Sequence, residues 1–443
     1  MDAHRLAELD HRHLWHPFTQ HQEWFADGEP LIVERAEGNE LVDVHGRRYL
    51  DGVSSLWTNV HGHHHPDLDR AVREQLDRVA HSTLLGLSHP GAIELAAELV
   101  RRAPGGGELS RVFYSDDGST AVEIALKMAF QMQQQSGQTR RTRFAALRDA
   151  YHGDTLGAVS VGSIDLFHAV YRPLLFDAVA LPAPRTPGGV EEEDCLKAGL
   201  ALLEEHGDTL AAFVFEPLVQ GAAGMKHHSA AFLQRLCEEA RRRGLLLVAD
   251  EVAVGFGRLG TLFAMEQVGV VPDLLCLAKG IAAGYLPLAA TLTTERVFEA
   301  FVADPVAHKQ LFHGHTFTGN PLACAVALES LRLFDRDQVL ERVAALESAL
   351  ADALDDLAPH ENVAGIRHRG VMVGIDLARA DGTPFPPELR MGHRVAMACR
   401  PRGAVVRPLG DTIVLNPPLS FTTHEARRLV EIVGEAVSET CPR

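Results

Sequence analysis

Residues 245–252 read Leu-Leu-Leu-Val-Ala-Asp-Glu-Val, with an apolar run that ends in two carboxylates. A continuous apolar run of this length is typical of a β-strand that is buried on both faces of a sheet. The segment before it, from Ala230 to about Arg243, has apolar residues at helical spacing and stops at Gly244, a common helix end. A helix that leads into a buried strand predicts an α/β fold.

Similar apolar runs lie on both sides of this strand. The other predicted strands are residues 111–114, 144–147, 211–215 and 274–277. Helical periodicity separates them, most clearly from Ser119 or Thr120 to about Gln135. The alternation indicates a large domain with a mainly parallel sheet flanked by helices.

The pattern changes towards the C-terminal end. Helices are predicted over about 338–358 and from about Thr423, and between them lie short alternating runs at 371–375, 404–407 and 412–415. This pattern predicts a smaller α+β domain. At the other end of the chain, residues 1–60 are rich in loops, with a hairpin-like pattern around 31–49.

The composition excludes several classes of protein. Apolar residues make up 46% and charged residues 23% of the 443 residues, as in globular proteins, and the net charge of −17 argues against nucleic acid or an anionic membrane as a partner. The longest uncharged stretch, 280–294, is too short to span a bilayer. Six cysteines without a C-x-x-C pair and an N-terminus without an apolar signal segment lead us to expect a soluble, cytoplasmic protein.

Lysine is scarce, because the 42 basic residues comprise 37 arginines and five lysines. Lys279 follows the predicted strand 274–277 and precedes Gly280. A lysine desolvated at a strand end has a lowered pKa and can form an imine. The alternative is a lysine at a helix start whose ammonium reaches solvent, and the scarcity of lysine favours the catalytic interpretation.

Ligands gather at the carboxyl ends of parallel strands, where two further groups are predicted. Gly118-Ser119-Thr120 opens a helix, so its backbone N–H groups and hydroxyls can bind a phosphate, although alone it could be an ordinary helix cap. Asp250 ends a buried strand and needs a partner, which a protonated pyridine nitrogen can be. A lysine, an aspartate and a phosphate cradle together are what pyridoxal phosphate requires.

Two other motifs have a second interpretation. Residues 255–260 match the dinucleotide motif G-x-G-x-x-G, but they do not directly follow the strand and no clear helix opens after them, so we expect a loop packed beside a cofactor. His61, His63, His64 and His65 have no carboxylate or cysteine at ligand spacing. For them we expect a solvated or interface loop and no metal site.

Taken together, the sequence resembles the class III aminotransferases, which are pyridoxal-phosphate enzymes of fold type I. Residues 248–258 and 313–324 carry this resemblance, which extends over almost the whole chain. It implies a large cofactor-binding domain at 66–330 and a small domain at 331–443 that the N-terminal segment 1–65 joins. It also implies a homodimer whose active sites lie at the interface.

The resemblance assigns roles to the cofactor-binding residues. Lys279 would hold the cofactor aldehyde and then move the proton between the substrate carbon and the cofactor. Asp250 would pair with the pyridinium nitrogen, and Tyr151 would pack on the ring.

The phosphate would be held by both subunits. Gly118 and Ser119 would bind it from one subunit. His315 and Thr316 would reach it from the other.

A narrower resemblance is to the branch of the family that acts in biotin synthesis. It rests on residues 14–20, 54–57, 151–163 and 406–409. It implies a transaminase that converts 8-amino-7-oxononanoate to 7,8-diaminononanoate. The residues expected to contact the substrate are Phe18, Trp57, Tyr151, Asp154, Lys279, Gly314 and Arg407, with Trp57 lining the pocket and Arg407 binding the distal carboxylate.

The departures from this branch leave the amino donor open. Members that use S-adenosylmethionine usually have a tyrosine where Phe18 stands and another near Val414, and they have Gly-Pro-Thr in place of residues 314–316. Residues 284–287 and 407–411 look more like the branch that uses L-lysine. The alternatives are another class III ω-aminotransferase, acting on ornithine, 4-aminobutyrate or a diamine, a decarboxylase of the same fold, and a nicotinamide oxidoreductase.

Overall fold

The computed structural model describes residues 2–26, 28–164 and 168–441. Within these ranges the strands β1–β17 are, in chain order, Val33–Glu37, Glu40–Asp43, Arg48–Asp51, Arg111–Ser115, Arg143–Leu147, Ala178–Leu181, Leu210–Phe215, Val219–Gln220, Lys226–His227, Leu246–Asp250, Leu274–Leu277, Ala289–Thr293, Val363–Arg369, Met372–Leu377, Ala404–Val405, Arg407–Leu409 and Thr412–Leu415. The helices α1–α14 are Ala3–His13, His21–Ala26, Pro66–Leu76, Pro90–Arg102, Gly118–Gln135, Leu156–Val161, Gly189–His206, Ala230–Arg242, Met265–Val268, Glu295–Glu299, Pro321–Arg336, Val339–Leu357, Met391–Cys399 and Thr423–Thr440. Residues 54–57 form a separate left-handed turn.

The largest sheet has seven strands in the order β4-β12-β11-β10-β7-β5-β6. Only β12 runs antiparallel to its neighbours in this sheet, and the remaining pairs are parallel. Every residue of β7, β10 and β11 is buried, which is why these strands read as apolar runs, with Asp250 at the end of β10 as their one charged residue. The predicted α/β fold with a mainly parallel sheet is confirmed.

Two strands of this sheet are absent from the sequence prediction. β6 has only four residues, and β12 reads Ala-Ala-Thr-Leu-Thr inside a long uncharged stretch. Neither has the apolar density of β10. β6 is placed by pairing with β5, and β12 by pairing with β11 and with β4 far earlier in the chain. A local sequence pattern does not reveal such pairing.

Strands from both chain ends share one smaller sheet. β15 pairs in parallel with β3 and completes the sheet β1-β2-β3-β15. A second antiparallel sheet follows the order β13-β14-β17-β16, and α12 and α14 pack against each other beside it. The domain boundaries at residues 65 and 330 remain a prediction. In the described ranges, no helix combines the length and apolarity that crossing a membrane requires.

Candidate active site

The carboxyl ends of β4, β5, β7, β10 and β11 lie at one edge of the large sheet, and a cavity of about 860 Å³ opens there. The predicted site residues that line it are Phe18, Trp57, Gly118, Ser119, Tyr151, Asp154, Asp250, Lys279 and Arg407. These residues are far apart in the sequence. The fold brings them around one space.

Lys279 lies just past the end of β11 and has a left-handed backbone, with φ 45°. The Trp57 ring lies over its amino group, with 4.7 Å between Nζ and the ring centroid. Burial disfavours the charged ammonium and lowers the pKa of Lys279 to about 8, although the nearby carboxylates of Asp250 and Glu216 oppose the shift. Such a lysine is partly neutral near pH 7, and the neutral amine is the form that attacks an aldehyde.

Asp250 is the last residue of β10 and is 4% exposed. Its carboxylate accepts hydrogen bonds from Nδ1 of His152 at 2.7 Å and from the backbone N–H of Val252 at 3.0 Å. Burial acts to lower the pKa of His152, but the hydrogen bond and charge of Asp250 outweigh it and raise that pKa. A carboxylate fixed in this way can accept a hydrogen bond from a protonated ring nitrogen.

Glu216 is a further titratable group of the cavity, and neither its local sequence nor the family resemblance assigns it a role. It follows β7, and burial raises the pKa of its carboxyl to about 7. The carboxylate accepts hydrogen bonds from the backbone N–H of Gly221 at 3.0 Å and of Tyr151 at 3.3 Å. Glu216 thereby ties the Tyr151 loop to the strand end, and its position after a fully buried strand is the signal that could have identified it.

Gly118 and Ser119 begin helix α5, which Asp117 caps. The Ser119 Oγ lies 2.8 Å from Thr155 Oγ1, so two hydroxyls meet at the helix start. The space beside them depends on Gly153, because a Cβ there would lie 2.3 Å from Ser119 Oγ and its φ of +120° suits only glycine. The helix N-terminus and the hydroxyls form a cradle for a phosphate.

Tyr151 and Asp154 form one side of the cavity. The Tyr151 hydroxyl donates a hydrogen bond to Asp154 Oδ2 at 2.8 Å. Burial, together with this bond, raises the pKa of Tyr151 well above its usual range. The phenol therefore stays protonated, and its ring is held beside the cradle.

Arg407 begins β16 and lies opposite Val414 of β17. Residues opposite each other in an antiparallel pair present their side chains on the same face, and Val414 is fully buried. Burial lowers the pKa of Arg407. Across the described ranges Arg407 makes no salt bridge, so its guanidinium can bind an anionic ligand in the cavity.

Gly314, His315 and Thr316 are not among the described residues that line the cavity. They lie on a segment at its rim, because His315 Nδ1 is 3.3 Å from Oδ2 of Asp116, which lines the cavity. Phe317 on the same segment is 53% exposed. Phe312 on the same segment is 67% exposed, and exposed apolar residues that lie together are typical of a surface that another chain covers. The proposed phosphate contacts from a second subunit remain a prediction.

The sequence predicts a solvated or interface loop for the histidine run at 61–65, and in the structure His64 is exposed whereas His61 is buried. His61 is 8% exposed, and its Nε2 lies 3.0 Å from Ser330 Oγ. The Nε2 of His63 lies 2.9 Å from Asp51 Oδ2. These two histidines have separate partners, so they serve the packing of this segment.

The glycine-rich loop 255–260 packs behind the lysine. A Cβ on Gly280 would lie 2.9 Å from the Cβ of Phe256, so close approach of the two backbones requires this glycine. Arg258 is 1% exposed and donates a hydrogen bond to the backbone carbonyl of Asn59. The loop therefore links neighbouring segments of the site.

The arrangement fits pyridoxal phosphate. The desolvated amine of Lys279 suits its aldehyde, the carboxylate at the end of β10 suits its ring nitrogen, and the start of α5 suits its phosphate. Gly153 leaves the space that the phosphate cradle needs. The three groups stand around one cavity, as the cofactor requires.

Comparisons with known proteins agree with this geometry. Residues 25–437 match the sequence profile of the family described as aminotransferase class-III. An adenosylmethionine-8-amino-7-oxononanoate aminotransferase from Nitratidesulfovibrio vulgaris is 54% identical, over 98% of this chain and 81% of the relative. The crystal structure of the enzyme of that name from Methanocaldococcus jannaschii superposes with a TM-score of 0.95 at 39% identity and covers 100% of both chains. A thermostable (S)-enantioselective omega-transaminase from Thermomicrobium roseum superposes with a TM-score of 0.93 at 35% identity, over 100% of this chain and 99% of that one. The chain belongs to the class-III aminotransferases, a family of pyridoxal-phosphate enzymes.

Proposed function

We propose that this enzyme transfers an amino group to 8-amino-7-oxononanoate and forms 7,8-diaminononanoate, a step of biotin synthesis. The names of relatives that align over nearly the whole chain support the proposal. The structural observation that carries it is the guanidinium of Arg407 in the same cavity as Lys279 and Trp57. The acceptor has a reactive ketone at one end, an aliphatic chain and a distal carboxylate, and these three side chains match those parts.

When bound, pyridoxal phosphate supplies an aldehyde that takes up the amino nitrogen and a ring that accepts electrons from the substrate carbon. Lys279 is the residue that would hold the aldehyde. Its Nζ would also be the base that takes the proton from the substrate carbon and later returns one. Asp250, which His152 orients, would accept a hydrogen bond from the protonated ring nitrogen and keep that nitrogen protonated. The same Nζ serves the donor and acceptor half-reactions in turn.

Trp57 and Phe18 supply the apolar part of the acceptor site. Both line the cavity, and burying methylene groups of the substrate against them is favourable by about 0.8 kcal/mol per CH₂. Arg407 fixes the carboxylate and thereby sets how far the ketone extends towards Lys279. The distance between the Arg407 guanidinium and the Lys279 amine then selects acceptors in which the ketone and the carboxylate are separated by a matching length of chain.

The amino donor in this proposal is S-adenosylmethionine, which the relatives carry in their names. L-lysine is the second candidate, because Phe18 lines the cavity where adenosylmethionine-using members usually have a tyrosine. The proposal includes a cytoplasmic homodimer with shared sites. The exposed rim segment with Phe317 supports the dimer, and six unpaired cysteines support a reducing compartment.

Two linked measurements test the proposal. Purified holoenzyme is mixed with S-adenosylmethionine or with L-lysine in separate cuvettes, and the absorbance band of the bound cofactor is followed. Addition of 8-amino-7-oxononanoate should then restore the band and yield 7,8-diaminononanoate by mass spectrometry. Bleaching by lysine alone would reassign the donor, and absence of the diamine with both donors would refute the acceptor.

A second candidate is an ω-transaminase that acts on simpler amines. The high TM-score with the Thermomicrobium roseum enzyme favours it. Fast turnover of 4-aminobutyrate, ornithine or a diamine, together with slow turnover of 8-amino-7-oxononanoate, would establish this candidate instead.

A further inference from the structure

Residues 54–57 form a turn that is unusual for residues other than glycine. Ser54, Ser55, Leu56 and Trp57 have φ values of 50°, 47°, 76° and 67°. In the left-handed conformation the Cβ atom crowds the carbonyl oxygen, so each of these residues is strained. A run of four such residues persists only where surrounding contacts hold it.

Asp51 holds the turn from one side. Its carboxylate is fully buried and accepts hydrogen bonds from the backbone N–H and from the hydroxyl of Ser55, both at 2.8 Å. The Nε2 of His63 lies 2.9 Å from the same carboxylate. These contacts satisfy a buried charge and tie it to the second residue of the turn.

Arg258 holds the turn from the other side. Its Nη1 donates hydrogen bonds to Ser54 Oγ at 3.2 Å and to the Pro417 carbonyl at 2.7 Å, and its Nη2 donates to the Asn59 carbonyl at 2.8 Å. Ser54 Oγ in turn donates to the Asn416 carbonyl at 2.6 Å. A buried guanidinium and a buried carboxylate therefore flank the turn.

The turn presents Trp57 to the cavity. Its ring lies over Lys279, and it packs so closely on Gly221 that a Cβ there would come within 2.9 Å of the ring. Its Nε1 is buried and has no hydrogen-bond partner in the part of the chain that the structure describes. A strained backbone and an unpaired buried donor both oppose folding, so this arrangement serves a ligand and not stability.

We propose that Asp51 and Ser55 are positioning residues of the active site. By holding the left-handed turn they fix the Trp57 indole relative to Lys279, and this sets the affinity for the aliphatic acceptor. The inference rests on the proposed role of Trp57 as a wall of the acceptor site. Ser55 does not line the cavity, so its substitution loosens the wall without removing a group that touches the substrate.

A double-mutant cycle tests whether Ser55 acts through Trp57. Ser55→Ala removes one hydrogen bond and should raise the KM for 8-amino-7-oxononanoate about five- to tenfold, with kcat nearly unchanged. In a Trp57→Ala background the same substitution should have no further effect. An equal rise of KM in both backgrounds would overturn the proposal. If Trp57→Ala alone left the KM unchanged, Trp57 would not be a wall of the acceptor site. That result would count against the proposed function, and the single variant distinguishes it from a failure of the positioning role.

Ser55→Gly separates positioning from stability. Glycine loses the same hydroxyl bond but adopts a φ of 47° without strain, so the KM should rise while the thermal midpoint stays the same or increases. Gln338→Gly is the matched control, because Gln338 also has φ 47° and lies exposed at the start of α12. Gln338→Gly should change the thermal midpoint and leave the KM unchanged. A Ser55→Gly enzyme with unchanged KM would contradict the proposal.

A second readout does not depend on turnover. With Trp15 and Trp24 replaced by phenylalanine, Trp57 is the only tryptophan, and its 6% exposure predicts weak quenching by acrylamide. Asp51→Asn or Ser55→Ala should raise the quenching constant about twofold or more, in cofactor-free enzyme as well as in holoenzyme. An unchanged quenching constant in both variants would contradict the proposal that Asp51 and Ser55 hold the turn.

Discussion

Replacing Arg407 with alanine removes the group that should bind the acceptor carboxylate. The backbone of Arg407 is fixed by the pairing of β16 with β17, and its side chain is partly buried. Its planar guanidinium can bind a carboxylate through two parallel hydrogen bonds. A hydrogen bond to a charged group contributes about 1.5–3 kcal/mol. Because the site is open to solvent, we take about 2–3 kcal/mol for the whole pair, which corresponds to about a 30- to 150-fold rise in KM.

The assay is the steady-state KM for 8-amino-7-oxononanoate at a saturating donor concentration. The absorbance spectrum of the bound cofactor should stay unchanged in Arg407→Ala. Arg407→Lys keeps the positive charge but loses the planar guanidinium, so its KM should lie between those of the wild-type enzyme and Arg407→Ala. The methyl ester of the acceptor is the matched substrate control, because its KM should not respond to either substitution. An unchanged KM for the free acid in Arg407→Ala would refute the assigned contact.

Three further changes test the cofactor side of the site. Gly153→Ala places a Cβ 2.3 Å from Ser119 Oγ and should raise the dissociation constant of pyridoxal phosphate about tenfold or more in an absorbance titration; an unchanged constant would exclude the cradle. Because burial lowers the pKa of Lys279 to about 8 and the neutral amine reacts, cofactor-free enzyme should combine with pyridoxal phosphate about tenfold faster per pH unit below pH 8 and at a constant rate above it, whereas a rate independent of pH would contradict that pKa. His152→Ala leaves the buried carboxylate of Asp250 without its nearest side-chain donor and should lower the free energy of unfolding by about 2–3 kcal/mol in urea, with His152→Asn recovering part of the loss; equal stability of all three proteins would show that the bond contributes nothing.

The large sheet could be predicted because its central strands are buried on both faces. Apart from Asp250 at the end of β10, the residues of β7, β10 and β11 are apolar, so the sequence alone marks where these strands end and hence the edge of the sheet at which Asp250 and Lys279 lie. β12 could not be found in this way, because it is built of small residues and its antiparallel position comes from pairing with β4 and β11.

The sequence marks the site residues that have a distinctive local context, but it does not show the contacts between residues that are far apart in the chain. Scarcity marked Lys279, and a helix start marked Ser119. Nothing local to His152 shows that it contacts Asp250, which is 98 residues away. The left-handed turn at 54–57 likewise depends on Asp51 and on distant partners, which no propensity of Ser-Ser-Leu-Trp predicts. Arg407 was identified through the resemblance, because a lone arginine in a short strand has no chemical signature of its own.

The acceptor half-reaction tests the central claim most directly. Holoenzyme is first converted by its donor, freed of that donor by gel filtration and mixed with 8-amino-7-oxononanoate in a stopped-flow spectrophotometer. We predict recovery of the cofactor band and about one equivalent of 7,8-diaminononanoate per active site, with the methyl ester reacting markedly more slowly at the same subsaturating concentration. Recovery of the band with succinic semialdehyde or pyruvate, and not with 8-amino-7-oxononanoate, would contradict the account.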